Sequence, residues 1–325
     1  MKIFSGIQPT NNLHIGNYLG AIKNWVETQK DAQQSVYCIV DLHAITVPQD
    51  PKRLKESVIS TAALYIACGI DPERSNIFIQ SSRPEHTGLA WILNCHANMG
   101  ELQRMTQFKE KSDGQKNYSV GLFDYPILMA SDILLYQTTH VPVGDDQKQH
   151  IELTRDLAQR INNKYGQVFT VPEPIIKKET ARIMALDDPT KKMSKSAPSS
   201  YNYIALTDHE EVIREKIKRA VTDSGSEIKA GSDKPAISNL LSIYSAFSGK
   251  SVEEIEKEYA GKGYGEFKEG LADTVVSALD PIHKKYHQLM NDPEGLKKIL
   301  DKGSKKVAPI AQKTLNEVKN KVGLG

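Results

Sequence analysis

Over its first 190 residues the chain alternates short apolar runs with longer stretches of helical periodicity, and this alternation restricts the fold more than any other feature. The runs at 2–7, 36–42, 76–81 and 140–144 have the length and β-rich composition of buried strands. Between them the spacing predicts helices over 17–30, 51–68, 86–99, 125–136 and 147–164. Apolar strands separated by helices must be covered on both faces, which is the pattern of a parallel sheet. The expectation is an α/β fold, a doubly wound, Rossmann-like parallel sheet. Ligands of such sheets sit beyond the C-terminal ends of the strands.

Past about Arg182 the strand signal fades. Residues 187–200 are rich in Pro, Lys and Ser and read as a loop. Helical patterns follow over 209–220, 237–247, 252–259, 266–290 and 293–322. Gly249 reads as a helix stop, and Asp280-Pro281 either starts a new helix or kinks a long one. The division expected is a Rossmann-like domain over 1–190 and a smaller all-helical C-terminal domain over 191–325, with its last helix free to pack back on the first. Charge follows the same line. Residues 1–190 carry 19 Lys+Arg against 21 Asp+Glu, and residues 191–325 carry 23 against 19. A basic second part is compatible with a nucleic-acid partner, and equally with solvated helix faces.

With 39% hydrophobic and 25% charged residues the chain can build a sizeable core. No apolar run approaches the ~20 residues of a membrane span, and the N-terminus has no signal-peptide core, so a cytoplasmic protein is expected. The spacing of Cys38, Cys68 and Cys95 matches no zinc motif; all three are expected as buried free thiols.

The chain has neither a Walker A sequence nor a GxGxxG after a strand. Two other stretches are suited to phosphates. Gly6-Ile7-Gln8-Pro9-Thr10 turns the chain at the end of the first strand, and Leu13-His14-Ile15-Gly16-Asn17 leads into a helix. A helix start offers unpaired N–H groups, Gly16 lets a flat base or ribose come close, and His14 and Asn17 can donate to phosphate oxygens. Read alone, this is equally an ordinary strand–turn–helix with a capping Asn. The second stretch is Lys191-Lys192-Met193-Ser194-Lys195-Ser196, between Pro189 and Pro198. Its lysines can stabilise a leaving pyrophosphate from a mobile lid; the plain alternative is a solvated basic loop.

Together the two stretches are far more specific. His14-Ile15-Gly16-Asn17 resembles the HIGH signature of the class I aminoacyl-tRNA synthetases, with Asn17 in place of the last His. Lys192-Met193-Ser194-Lys195-Ser196 is similar to that class's KMSKS signature at every position. Three long stretches carry a resemblance to the bacterial tryptophan branch: residues 4–9, 100–111 and 141–150.

The resemblance implies adenylation of tryptophan by ATP with Mg²⁺, no tightly bound cofactor, and transfer to tRNA(Trp). It implies ATP contacts at Gln8, Pro9, Thr10, Gly16, Asn17, Gly144, Asp145, Asp146, Ile183, Lys192, Met193, Ser194, Lys195 and Ser196. Asp145 stands where the family often has Glu. Lys111 would face the phosphates too, which makes His14, Asn17, Lys111, Lys192 and Lys195 the candidate catalytic set. No protein metal site is expected, since the phosphates carry the Mg²⁺. Met129 and Asp132, at i and i+3, share a helix face, and a carboxylate there needs a partner; a Lys, an Arg or water is the ordinary one. In the family the Asp accepts the indole N–H and the Met packs on the ring. Phe4, Val40, Val141 and Val143 would complete the apolar slot, and His43, Tyr125 and Gln147 would hold the ammonium or carboxylate. The resemblance also implies a homodimer, with 84–116 supplying much of the interface, and a helical part that reads the anticodon. A tyrosine enzyme, a small-molecule nucleotidyltransferase and a synthetase-like RNA-binding regulator are the rival readings.

Overall fold

The structure is a computed structural model. It describes residues 1–10, 13–112, 117–144, 147–175, 183–194, 197 and 199–324, and for 110–112 the backbone alone. Five strands, β1 (Lys2–Ile7), β2 (Gln34–Ile39), β3 (Asn76–Ile79), β4 (His140–Pro142) and β5 (Glu173–Ile175), form one sheet in the order β3-β2-β1-β4-β5. All pairings are parallel. The expected α/β, doubly wound sheet is therefore present, and its strand order reverses between β1 and β4.

Alternation along the strands sorts the core. Tyr37, Ile39 and Ile77 point to one face and join one apolar cluster. Phe4, Val36, Cys38 and Phe78 point to the other and join a second. The first face is covered by the helical run α1 (Ile15–Asn17), a π turn (Tyr18–Ile22) and α2 (Lys23–Thr28), and by α4 (Pro51–Ala67). A short α3 (Asp41–Ala44) follows β2. On the second face lie α5 (Glu85–Asn94), α6 (Met99–Gln103), α8 (Val120–Leu134) and α9 (Lys148–Tyr165); α7 (Thr106–Ser112) leads from α6 towards α8.

Beyond β5 the described residues form helices: α10 (Glu210–Arg219), α11 (Pro235–Ser248), α12 (Val252–Glu258), α13 (Tyr264–Met290) and α14 (Pro293–Val322). Their apolar residues, Ile213, Leu240, Phe267 and Leu271 among them, continue the first cluster without a break from Leu13, Ile15, Ile183 and Met193. The line at 190/191 thus runs through a shared core. α14 contributes Leu300 to the first cluster and Val307 and Ala311 to the second, and so wraps the edge of the sheet beside β3. At Gly303 a Cβ would collide with the backbone of Ile77, so the helix can lie on that edge only as glycine.

Several local expectations are corrected. β2 stops at Ile39, and 41–44 turn into helix. The helix from 85 ends at Asn94 instead of reaching 99. β5 and α7 were not expected. β5 carries Pro174, which an edge strand tolerates because one side of it needs no donor. Asp280-Pro281 lies inside an unbroken α13, held by the buried face Leu271, Val275, Leu279 and Ile282. Gly249 does end α11, in the left-handed region at φ 76°. Cys38 and Cys68 are buried free thiols, but Cys95 is exposed, because α5 ends there at the surface. Burial pushes the Cys68 thiol up to about 12.

Candidate active site at the strand ends

Tyr65, from α4, terminates the β1/β2 ladder. Its hydroxyl accepts from Ile7 N at 2.8 Å and donates to the Cys38 carbonyl at 3.2 Å. At Gly6 a Cβ would stand 2.8 Å from both the Cys38 oxygen and Val40 Cγ1, so no larger residue fits the strand end. From this point the chain turns through Gln8, Pro9 and Thr10 towards Leu13.

His14 caps the helix that follows. Its Nδ1 accepts from Gly16 N, and its own N–H is accepted by Asn17 Oδ1, both at 3.1 Å. An imidazole whose Nδ1 accepts carries its proton on Nε2 when neutral, so His14 is set as an Nε2–H donor. With Asn17 Oδ1 committed to the cap, the amide nitrogen is the group Asn17 can offer. Gly16 is required here by the protein itself: a Cβ would be 2.9 Å from the His14 ring.

The second motif is anchored against the first. Lys192 bridges Met184, Ala185 N donates to the Lys191 carbonyl at 2.8 Å, and Met193 N donates to the Ile183 carbonyl at 3.1 Å. This pairing buries Ile183 and Met193 and leaves Lys192 exposed. A Cβ on Gly16 would be 3.8 Å from Met193 Cβ, so the two motifs touch. Ser194 N donates to Asn202 Oδ1 at 3.0 Å. Farther on, Ala205 bridges His14, and Ile15 N donates to the Ile204 carbonyl at 3.0 Å. Tyr203 lies against the His14 ring, 5.9 Å between centroids, with the Lys216 ammonium 4.9 Å from its own ring. Lys216 is buried and paired with Asp208 at 2.6 Å. Lys191 is spent on Asp188 at 2.8 Å, an exposed pair in which the lysine's hydrogen bond holds the carboxyl down at about 2. Asp145, Asp146, Lys195 and Ser196 lie outside the described residues, and of Lys111 only the helical backbone is described.

On the far side of β1, β2 and β3 end side by side and deliver polar groups to one point. Gln80 follows β3, and His43 lies in α3 after β2; the Leu42 N–H donates to Gln80 Oε1 at 3.1 Å. Opposite them α8 carries Asp132, 1% exposed. His43 Nε2 donates to Asp132 Oδ2 at 2.8 Å; Gln80 Nε2 and His86 Nδ1 donate to Oδ1 at 2.7 and 2.6 Å. In place of the ordinary Lys or Arg, the partners among the described residues are two imidazoles and an amide. Burial alone would raise the Asp132 pKa, but the hydrogen bonds from His43 and His86 outweigh it and hold the carboxyl below its ordinary range.

Phe4, Val40 and Val141 are buried in the second apolar cluster, with Met129 and Val143 packed against it. Tyr125 meets His43 edge-on at 6.2 Å, and its hydroxyl donates to Gln107 Oε1 at 3.1 Å. Gln147 stands exposed at the N-cap of α9, beside an exposed Gly144. Gln80, His86 and Tyr136 were missed by sequence reasoning. A lone Gln at the C-terminal end of an apolar strand was the available signal; His86, in a helix of mixed character, offered none.

Among the described residues no group of three or more His, Cys, Asp or Glu is arranged to hold a metal ion, and no helix is long and apolar enough to cross a membrane.

Residues 1–280 match the family model described as tRNA synthetases class I (W and Y). The chain is 56% identical to a tryptophan–tRNA ligase of Halalkalibacterium halodurans over 324 residues, covering 99% of this chain and 98% of that one. It is 55% identical to the ligase of Bacillus anthracis over 323 residues, with coverage of 99% and 98%. Among solved structures it is similar to the tryptophanyl-tRNA synthetase of Mycoplasma pneumoniae, with TM-score 0.91, 38% identity and coverage of 100% and 98%. The enzyme of Campylobacter jejuni, complexed with ADP and tryptophan, is similar at TM-score 0.87 and 38% identity, with full coverage of both chains.

Proposed function

The chain belongs to the family of class I tRNA synthetases for tryptophan and tyrosine, and from that premise we infer that it is a tryptophan–tRNA ligase. It activates L-tryptophan with ATP and passes the product to tRNA(Trp). The observation that carries this reading is the contact between the two signature stretches beyond the end of β1, with Met193 against Gly16.

In the first step a tryptophan carboxylate oxygen attacks the α-phosphorus of ATP. The new O–P bond replaces the bond to the bridging oxygen, and pyrophosphate leaves with the electron pair. No enzyme nucleophile is needed; positioning and charge stabilisation suffice. His14, through Nε2–H, and Asn17, through its amide, donate to the α-phosphate. Lys192 and Lys195 hold the β- and γ-phosphates, assisted by Lys111. Gln8, Pro9, Thr10, Gly16, Gly144, Asp145, Asp146, Ile183, Met193, Ser194 and Ser196 complete the ATP site. The described polar groups beside His14 are donors suited to phosphate, so Mg²⁺ fits as a passenger on the phosphates, where it supplies charge neutralisation. In the second step a ribose hydroxyl at the tRNA 3′ end attacks the carbonyl carbon and AMP leaves.

Asp132 accepts the indole N–H, the one polar handle of the side chain. Met129, Phe4, Val40, Val141 and Val143 form the apolar slot; Tyr125 and Gln147 hold the amino-acid end, and His43, bonded to Asp132, stands at the indole end. The helical residues 191–325 read the anticodon, and the chain works as a cytoplasmic homodimer through 84–116. Trp91 and Met99, exposed by 71% and 64% within that segment, support the dimer.

The test is amino-acid-dependent exchange of labelled pyrophosphate into ATP, run with each of the twenty amino acids. Exchange with tryptophan alone is expected. Exchange with tyrosine would keep the family and overturn the pocket; exchange with none would overturn the enzyme.

A further inference from the structure

Asp132 is held by more partners than a simple indole acceptor needs, and the surplus has a geometry. A carboxylate offers about four acceptor positions. Gln80 and His86 occupy two on Oδ1, and His43 occupies one on Oδ2. Among the described residues the position left over is on Oδ2. His86 is 0% exposed and pinned at both ends of its ring, and its backbone carbonyl accepts from Ser131 Oγ at 2.6 Å. Nδ1 donates to Asp132; Nε2 lies 2.8 Å from the hydroxyl of Tyr136. A neutral ring that donates through Nδ1 must accept at Nε2, so Tyr136 is the donor there. Burial raises the Tyr136 pKa well above its ordinary value, which keeps that proton in place. Tyr136 is in turn fixed by stacking on Phe4, 5.7 Å and 7° apart, and by an edge contact with Phe78 at 5.9 Å.

We propose that His86, oriented by Tyr136, is a positioning residue for amino-acid specificity: by occupying Asp132 Oδ1 it leaves the Oδ2 edge as the acceptor presented to the indole N–H. Without it the carboxylate gains a second open position on the wrong oxygen and turns about its own bond. Acceptance of the indole then loses its direction, and the penalty against a side chain with no N–H falls. The inference rests on the reading of Asp132 as the indole acceptor.

The experiment uses the full-length protein and pyrophosphate exchange driven by tryptophan or phenylalanine. His86→Ala is expected to raise the tryptophan KM ~10-fold or more and lower the tryptophan-over-phenylalanine ratio of kcat/KM by as much, with the ATP KM unchanged. His86→Asn, whose amide reaches the place of Nδ1, restores most of the ratio. Tyr136→Phe removes a single hydroxyl from a ring that keeps its packing, so it remains informative if His86→Ala fails to fold; a ~5-fold fall in the ratio is expected, about one hydrogen bond. Asp132→Asn is the control. If it collapses the ratio while folded His86→Ala or Tyr136→Phe leaves the ratio within twofold of the parent, the positioning role is overturned alone. If Asp132→Asn also leaves the ratio unchanged, the reading of the indole site fails and this proposal with it. Equal rises in the tryptophan and ATP KM for His86→Ala, unrelieved by Asn, would reduce His86 to a structural residue.

Discussion

Around His14 the polar groups are capping atoms and backbone amides of one strand–turn–helix, completed by an exposed lysine from a loop. Around Asp132 they are side chains from the ends of two strands and two helices, buried and bonded to one another. Each arrangement suits its task. A polyphosphate brings several charges and its own Mg²⁺, so mobile cations in water can meet it and let it go. An indole brings one N–H, so its recognition depends on an acceptor that is dry, charged and already aimed.

Four perturbations break or sharpen that contrast. Asp132→Asn has the largest expected effect: an amide cannot accept from three donors as the carboxylate does, and discrimination of tryptophan from phenylalanine should fall by at least ~100-fold in pyrophosphate exchange. Retained discrimination would remove the contrast altogether. Lys192→Ala should slow adenylate formation ~100-fold in single-turnover measurements while tryptophan affinity stays within twofold. Comparable losses in both would mean that the two sides are one unit. Gly303→Ala should lower stability by ~1–3 kcal/mol through overpacking against β3. Because Ile77 leads directly into Gln80, its tryptophan KM should rise while its ATP KM holds; the reverse order would place the strain elsewhere. The smallest effect is a control far from both sites. The hydrogen bond from Arg160 holds the Glu101 carboxyl down at about 2, against an ordinary 4.5. The folded state therefore binds this proton less readily than the unfolded one. The contribution is present above pH 4.5 and is lost as pH falls towards 2. Melting curves of Glu101→Gln should be flatter with pH across that window, with both ligand affinities unmoved at neutral pH.

The strands and the longer helices were legible because apolar periodicity reports burial directly: α14 was expected over 293–322 and is found there. The short elements were not. α3, α6 and α7 are too brief for a period to declare itself, and β5 is three residues long with Pro174 at its centre. Of the candidate site, the stretches at His14 and Lys192 stood out because their chemistry is carried by neighbours in sequence. Gln80, His86 and Tyr136 did not, since each is an ordinary residue until the fold assembles it around Asp132.

What the amino-acid sequence determines by itself is thus whatever is encoded locally: an alternating α/β pattern, a capping His and Asn after a first strand, a lysine-bearing loop between two regions, and Asp132 on an apolar helix. Only the tertiary structure decides that Met193 meets Gly16, that α14 lies on the edge of β3 through Gly303, and that the partners of Asp132 are two imidazoles and an amide. The reason is physical. A buried charge is satisfied by whichever donors the packing of remote elements brings within about 3 Å, and that proximity has no signature along the chain.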